Sequence, residues 1–177
     1  MKILKRSLLS IIALTVLIIG NVDAVNYGDV IALKSNRESW LTYHPWDEQV
    51  GSYCRSMYDD YDTPIMKHHE DFGCTSSPSY QWTIVSIEGK TGQVNYGDRI
   101  ALKAGGKYLS AKDENAACMV DNVDKCELWT VVQPENAGGA LGFKDWNGNH
   151  LCCDDGGRVV SNRGKAASWE KWWPVKQ

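Results

Sequence analysis

Alternating apolar and polar positions predict short β-strands along most of the chain. Residues 98–103, with the sequence DRIALK, place Ile100 and Leu102 on one face, which is typical of a strand with one buried side. Segments rich in glycine or small polar residues, such as AGGK and SNRES, follow these alternating runs and predict turns. Helical periodicity is absent from the sequence after the N-terminal segment. The pattern therefore predicts an all-β fold.

The strand pattern belongs to an internal repeat. The segment VNYGDVIALK starting at Val25 recurs as VNYGDRIALK at Val94, with nine of ten positions identical. A third, weaker copy includes LGFK from Leu141, a turn containing Asn147-Gly148, and HLCC from His150. Each copy closes on a strand that contains a tryptophan; the three are Trp82, Trp129 and Trp172. Repeats of this kind indicate units that bury their apolar positions together.

Three units of about four short strands each predict a β-trefoil, a six-stranded barrel capped by three hairpins. The units cover about residues 25–93, 94–139 and 140–177. The repeated Leu and Trp positions are expected to be buried layers of a shared core. A β-propeller would need more than three repeats. A β-sandwich does not require a tryptophan at the same place in each of three repeats.

The N-terminal residues 1–24 are predicted to be a secretory signal peptide. Basic residues precede an apolar run from Leu8 to Ile19, and small residues end the segment at Ala24. The run is shorter than the roughly 18–20 residues that span a bilayer, so no membrane span is expected. Residues 25–177 are then one secreted domain.

The charge balance excludes one class of partner. The chain has a net charge of −3, and its charged residues are scattered. This composition provides no electrostatic basis for binding nucleic acid or anionic lipid. The oligomeric state is left open by the sequence.

The cysteine pattern predicts disulfides. An even number of cysteines behind a signal peptide is typical of an oxidised secreted domain. Cys54 with Cys74, and Cys118 with Cys126, would each close an equivalent loop just before a Trp strand. The adjacent Cys152 and Cys153 could form a vicinal disulfide, stay reduced or pair with another chain.

Several motifs resemble those of known β-trefoil families. GGKYLSA from Gly105, ELWTVV from Glu127 and WEKWWPV from Trp169 resemble repeats of the fascin-like group. VNYGDVIALKS resembles the opening of a MIR domain, and the E-x-W closings resemble the Q-x-W of ricin-type lectin repeats. These motifs build the core, so the resemblance implies the fold more than any function.

Two turn segments are candidate carbohydrate sites. Each places a tryptophan beside amide or carboxylate groups, which suits stacking on a sugar ring with hydrogen bonds to its hydroxyls. The candidate ligand-binding residues are Trp46, Asp145, Trp146, Asn147 and Asn149. The content of Asp145, Trp146 and Asn149 also resembles the site of ricin-type lectins. The alternative is that these tryptophans cover an end of the barrel.

No catalytic or cofactor motif is found. The segment between Cys54 and Cys74 is rich in Asp, Glu and His, but its spacing matches neither an EF-hand nor HExxH, so it is interpreted as a polar surface loop. His44 and His150 are interpreted as packing or surface groups. We therefore expect no metal or other cofactor, and a protein that is not an enzyme.

The leading functional hypothesis is a secreted, lectin-like carbohydrate-recognition module. The alternative is an extracellular protein-interaction or structural matrix module of fascin-like or MIR-like type. The expected partner is thus a glycan or an extracellular protein. Actin bundling is disfavoured, because the leader and the cysteines indicate an environment outside the reducing cytosol.

Overall fold

The structure, a computed structural model, describes residues 24–36, 38–44, 49–53, 81–113, 116–154 and 159–177. Trp46, Cys54, Cys74 and the expected leader up to residue 23 lie outside the described residues.

The described chain is an all-β protein, as the alternating pattern predicts. Twelve strands are present in these ranges, and every pairing between them is antiparallel. They are β1 Val30–Ser35, β2 Trp40–His44, β3 Gln49–Tyr53, β4 Trp82–Ser86, β5 Arg99–Ala104, β6 Lys107–Asp113, β7 Ala116–Val120, β8 Trp129–Val132, β9 Gly142–Lys144, β10 His150–Cys153, β11 Val159–Arg163 and β12 Trp172–Lys176. A 3-10 turn, Lys125–Glu127, precedes β8.

Six of the strands form a closed cycle of pairings. β1 pairs with β4, β4 with β5, β5 with β8, and β8 with β9. β12 pairs with β1, and a bridge between Leu141 and Trp172 joins the start of β9 to β12. The other six strands form the hairpins β2–β3, β6–β7 and β10–β11. This arrangement leaves no open edge along the cycle of six.

The three closing tryptophans are all fully buried, which confirms that part of the prediction. Each indole N–H donates to the backbone carbonyl of a leucine in the hairpin of its own unit. The pairs are Trp82 with Leu41 at 3.0 Å, Trp129 with Leu109 at 3.1 Å, and Trp172 with Leu151 at 3.1 Å. The core cluster also contains apolar residues from β1, β5 and β9, so the three units contribute to one core.

The repeated VNYGD segment forms the same turn twice. In the second copy, Asp98 Oδ2 accepts from the backbone N–H of Asn95 at 2.8 Å. Gly97 has φ +94 and donates to the carbonyl of Val131 at 2.7 Å. The first copy makes both contacts at 2.8 Å, Asp29 with Asn26 and Gly28 with Ile84. Glycine is needed because other residues rarely adopt this φ.

The structure does not support the predicted disulfide at Cys126. Cys126 is not joined to another cysteine, so the predicted bond from Cys118 to Cys126 is not seen. The loop before β8 is held instead by a capping box, in which Asp124 N–H donates to Glu127 Oε2 at 2.6 Å.

Cys152 and Cys153 do not form the vicinal disulfide that the sequence left possible. They are consecutive in β10, and consecutive strand residues point to opposite faces. Cys153 belongs to the apolar core, whereas Cys152 Sγ lies 4.0 Å from Asn162 Oδ1 in β11. Both thiols are buried.

Candidate functional site

The candidate turn connects β9 to β10 and is organised by Asp145. The Asp145 side chain is 4% exposed, and its Oδ1 accepts from the backbone N–H groups of Asn147 at 2.8 Å and Asn149 at 2.9 Å. Its Oδ2 accepts from Ser161 Oγ of β11 at 2.7 Å. Gly148 has φ +89 and donates to the Asp145 carbonyl at 3.2 Å. The carboxylate therefore holds the turn against the neighbouring strand.

Trp146 projects from this turn toward solvent. Its side chain is 48% exposed, among the most exposed large apolar residues of the described chain. The neighbouring Asn147 is exposed and Asn149 half-buried, and their side-chain amides make no hydrogen bond within the described ranges. The turn thus presents an indole together with amide groups that are open to a ligand.

Lys125 from the preceding unit reaches the same indole. Its Nζ lies 4.1 Å from the centroid of the Trp146 ring, a cation–π distance. Lys125 is exposed and begins the 3-10 turn that follows β7. The sequence interpretation missed this residue, because no local motif links it to a turn twenty residues later.

The other units lack the same combination of side chains. In the connection between β1 and β2, Ser35 N–H donates to the Ser39 carbonyl at 2.7 Å, as Asp145 N–H donates to the Asn149 carbonyl at 2.8 Å. The position of Trp146 is taken there by Asn36. The connection between β5 and β6 is shorter and consists of two glycines with positive φ, Gly105 and Gly106.

The histidine predictions are tested in part. His150 is 7% exposed, and its Nδ1 lies 2.9 Å from the Arg163 carbonyl, which confirms a packing role. The His44 side chain and Trp46 lie outside what the structure describes. Trp46 stays a predicted ligand-binding residue on sequence grounds.

The described residues contain neither a metal-ligand cluster nor a helix that could span a membrane. No group of three or more His, Cys, Asp or Glu side chains within those ranges could hold a metal ion. No helix in the described part of the chain is long and apolar enough to cross a membrane.

Comparison with solved structures shows an all-β fold of known type. The chain is similar to SeviL bound to asialo-GM1 saccharide, with 14% identity, a TM-score of 0.59, and coverage of 84% of this chain and 98% of that one. It is also similar to a Caenorhabditis elegans protein of unknown function, with 16% identity, a TM-score of 0.63, and coverage of 88% and 98%. No protein-family model matches the sequence, and no curated protein matches it significantly.

Proposed function

We propose that this protein is a secreted, non-catalytic carbohydrate-binding module with a lectin-like β-trefoil fold. The observation that carries the function is an exposed indole, Trp146, on a turn held rigid by the buried Asp145. The fold-level likeness to a structure with a bound saccharide supports this choice. The closed cycle of six strands, the three hairpins and the three equivalent Trp–Leu contacts support the trefoil.

The turn has the groups that sugar recognition needs. The apolar face of a pyranose stacks on an indole, and side-chain amides bind hydroxyls as both donors and acceptors. In this proposal Trp146 supplies the stacking surface, and Asn147 and Asn149 bind the hydroxyls. Asp145 already accepts three hydrogen bonds from the protein, so it acts mainly by positioning the turn.

The test is binding of the Trp146→Ala variant to a glycan array. We expect the wild-type protein to bind a defined set of glycans and the variant to lose that binding. The melting temperature of Trp146→Ala should stay close to that of the wild type, because an exposed turn side chain contributes little to the core. Tyr96→Ala is the matched control, since Tyr96 is also 48% exposed and lies in a different turn.

Three results would reject this site. Unchanged glycan binding by Trp146→Ala would move recognition elsewhere on the protein. A large loss of stability would mean that Trp146 covers the end of the barrel. Absence of binding to any glycan by the wild type would favour the protein-interaction hypothesis.

A further inference from the structure

We propose that the glycan recognised at the Trp146 turn carries an anionic group, a carboxylate or a sulfate ester, that pairs with Lys125. This inference rests on the proposed carbohydrate function and specifies the ligand class. It makes Lys125, from a different unit of the chain, a specificity-determining residue of the site.

The Lys125 ammonium already lies at the proposed stacking surface. It lies 4.1 Å from the centroid of the exposed Trp146 ring, so the free protein already holds a positive charge over the stacking surface. A cation at an exposed ring is attracted only weakly, by roughly 0.5–1 kcal/mol. Because lysine has a long and flexible stem, the ammonium can turn from the ring to a ligand anion while the sugar ring takes its place.

Within the described part of the chain, Lys125 has no carboxylate partner. Other lysines in the described chain form ion pairs, for example Lys90 with Asp98 at 2.7 Å and Lys176 with Asp29 at 3.1 Å. Lys125 forms none with any residue that the structure describes. No described side chain therefore compensates its charge, which is open to an acidic ligand.

The two acidic residues closest in sequence are occupied by backbone groups. Asp124 Oδ1 accepts from the Lys125 N–H at 2.8 Å, and Glu127 Oε2 accepts from the Asp124 N–H. Asp124 is exposed and still contributes negative charge nearby, but its carboxylate is directed at the start of the 3-10 turn. The Lys125 ammonium lies over the Trp146 ring, and no ion pair joins it to Asp124 or Glu127.

Both turns that form the site are held by hydrogen bonds in the absence of a ligand. The capping box orders the turn that carries Lys125, and Asp145 orders the turn that carries Trp146. A site that needs little ordering loses less free energy on binding. A single new ion pair can therefore produce a measurable preference.

The experiment uses glycan-array pairs that are identical except for one group. One arm compares glucose with glucuronate and galactose with galacturonate; the other compares sugars with and without one sulfate. We expect the acidic member of at least one arm to bind about 3- to 10-fold more tightly, as for one partly desolvated ion pair. The preference should weaken as salt concentration rises, because salt screens an exposed pair.

Three variants assign the preference to a residue. Lys125→Gln should bind acidic and neutral members equally, and Lys125→Arg should retain the preference. Lys103→Gln is the matched control. It also removes one positive charge beside an aromatic ring, because Lys103 in β5 has its Nζ 5.2 Å from the Tyr108 ring centroid. This control should bind like the wild type.

The possible results separate this inference from the proposed function. Glycan binding that depends on Trp146 but does not distinguish acidic from neutral members overturns the anionic ligand and leaves the carbohydrate function standing. An acidic preference that survives in Lys125→Gln overturns the assignment to Lys125. Absence of all glycan binding overturns both.

Discussion

The indole Nε1 of Trp172 donates a hydrogen bond to the backbone carbonyl of Leu151 at 3.1 Å, inside the core. The contact ties the closing strand β12 to the hairpin strand β10. A buried indole N–H and a buried carbonyl that bind each other avoid the free-energy penalty of unpaired polar groups. Trp172 therefore fills the core and also fixes where the hairpin sits.

This contact predicts a graded effect of substitution at position 172. Trp172→Ala should lower the free energy of unfolding by about 3–5 kcal/mol, because it leaves a cavity in a fully buried site. Trp172→Phe keeps an aromatic ring but leaves the Leu151 carbonyl without its hydrogen-bond donor. We therefore expect the free energy of unfolding to fall by at least about 1–3 kcal/mol. Chemical denaturation at 25 °C measures both, with Trp146→Ala as an exposed control. Equal stability of the phenylalanine variant and the wild type would show that the hydrogen bond contributes nothing.

The repeated turn predicts a conformational penalty at Gly97. A Cβ built at this position meets nothing within 4 Å, so Gly97→Ala introduces no clash. Its φ of +94 is nevertheless unfavourable for alanine, and we expect a loss of about 1–2 kcal/mol in unfolding free energy. Gly164→Ala is the control, since that site is also open but lacks a positive φ. Thermal unfolding measures the difference. Equal shifts of the melting temperature in both variants would contradict the prediction.

The same turn predicts an acid-dependent contribution from Asp98. The hydrogen bond from Lys90 at 2.7 Å, helped by the Asn95 N–H, lowers the pKa of Asp98 from 3.8 to about 2. A carboxyl group whose pKa is lower in the folded state stabilises the protein above its unfolded pKa. This stabilisation should be fully present at neutral pH and disappear as the pH falls from about 4 to about 2.

Denaturation of wild type and Asp98→Asn across this pH range tests the contribution. The wild type should be the more stable at pH 7, and the difference should shrink toward pH 2. Asp29 provides an internal comparison, because the pKa of its carboxyl group is also lowered, chiefly by the Asn26 N–H. A stability difference that does not change with pH would mean that Asp98 acts without its charge.

The cysteines predict selective chemical labelling. Cys126 is partly exposed, whereas Cys152 is buried, and burial raises the pKa of its thiol to about 11. Only the thiolate reacts, so iodoacetamide at pH 7.5 should label Cys126 much faster than Cys152. Peptide mass mapping before and after unfolding in urea measures the difference. A Cys126 that is protected and linked to Cys118 would contradict the thiol state seen here.

Much of the fold was predictable from local pattern. Period-2 alternation marked β1, β5 and β9, and the repeated glycines marked the turns, because both signals depend only on neighbouring residues. The burial of Trp82, Trp129 and Trp172 was also predictable, since their recurrence shows that they occupy corresponding places. The pairing of Trp172 with Leu151 was not, because the sequence does not show which carbonyl an indole N–H will meet.

The cysteines show a limit of local reasoning. Equivalent spacing suggested a disulfide from Cys118 to Cys126, but the loop before β8 is held by the Asp124–Glu127 capping box, and Cys126 is not joined to another cysteine in the structure. The spacing of cysteines along the sequence limits which of them could form a disulfide. The path of the backbone decides whether two cysteines come close enough to bond.

By itself, the sequence determined the strands, the turns and the candidate turn at Asp145 and Trp146, because these follow from periodicity and residue type within a few positions. Only the tertiary structure decided that Asp145 is buried and holds the turn, and that Lys125 lies over the Trp146 ring. The physical reason is that such contacts depend on how distant strands pair and pack. Lys125 and Trp146, 21 positions apart, meet only after the closed cycle of strands has brought neighbouring units together.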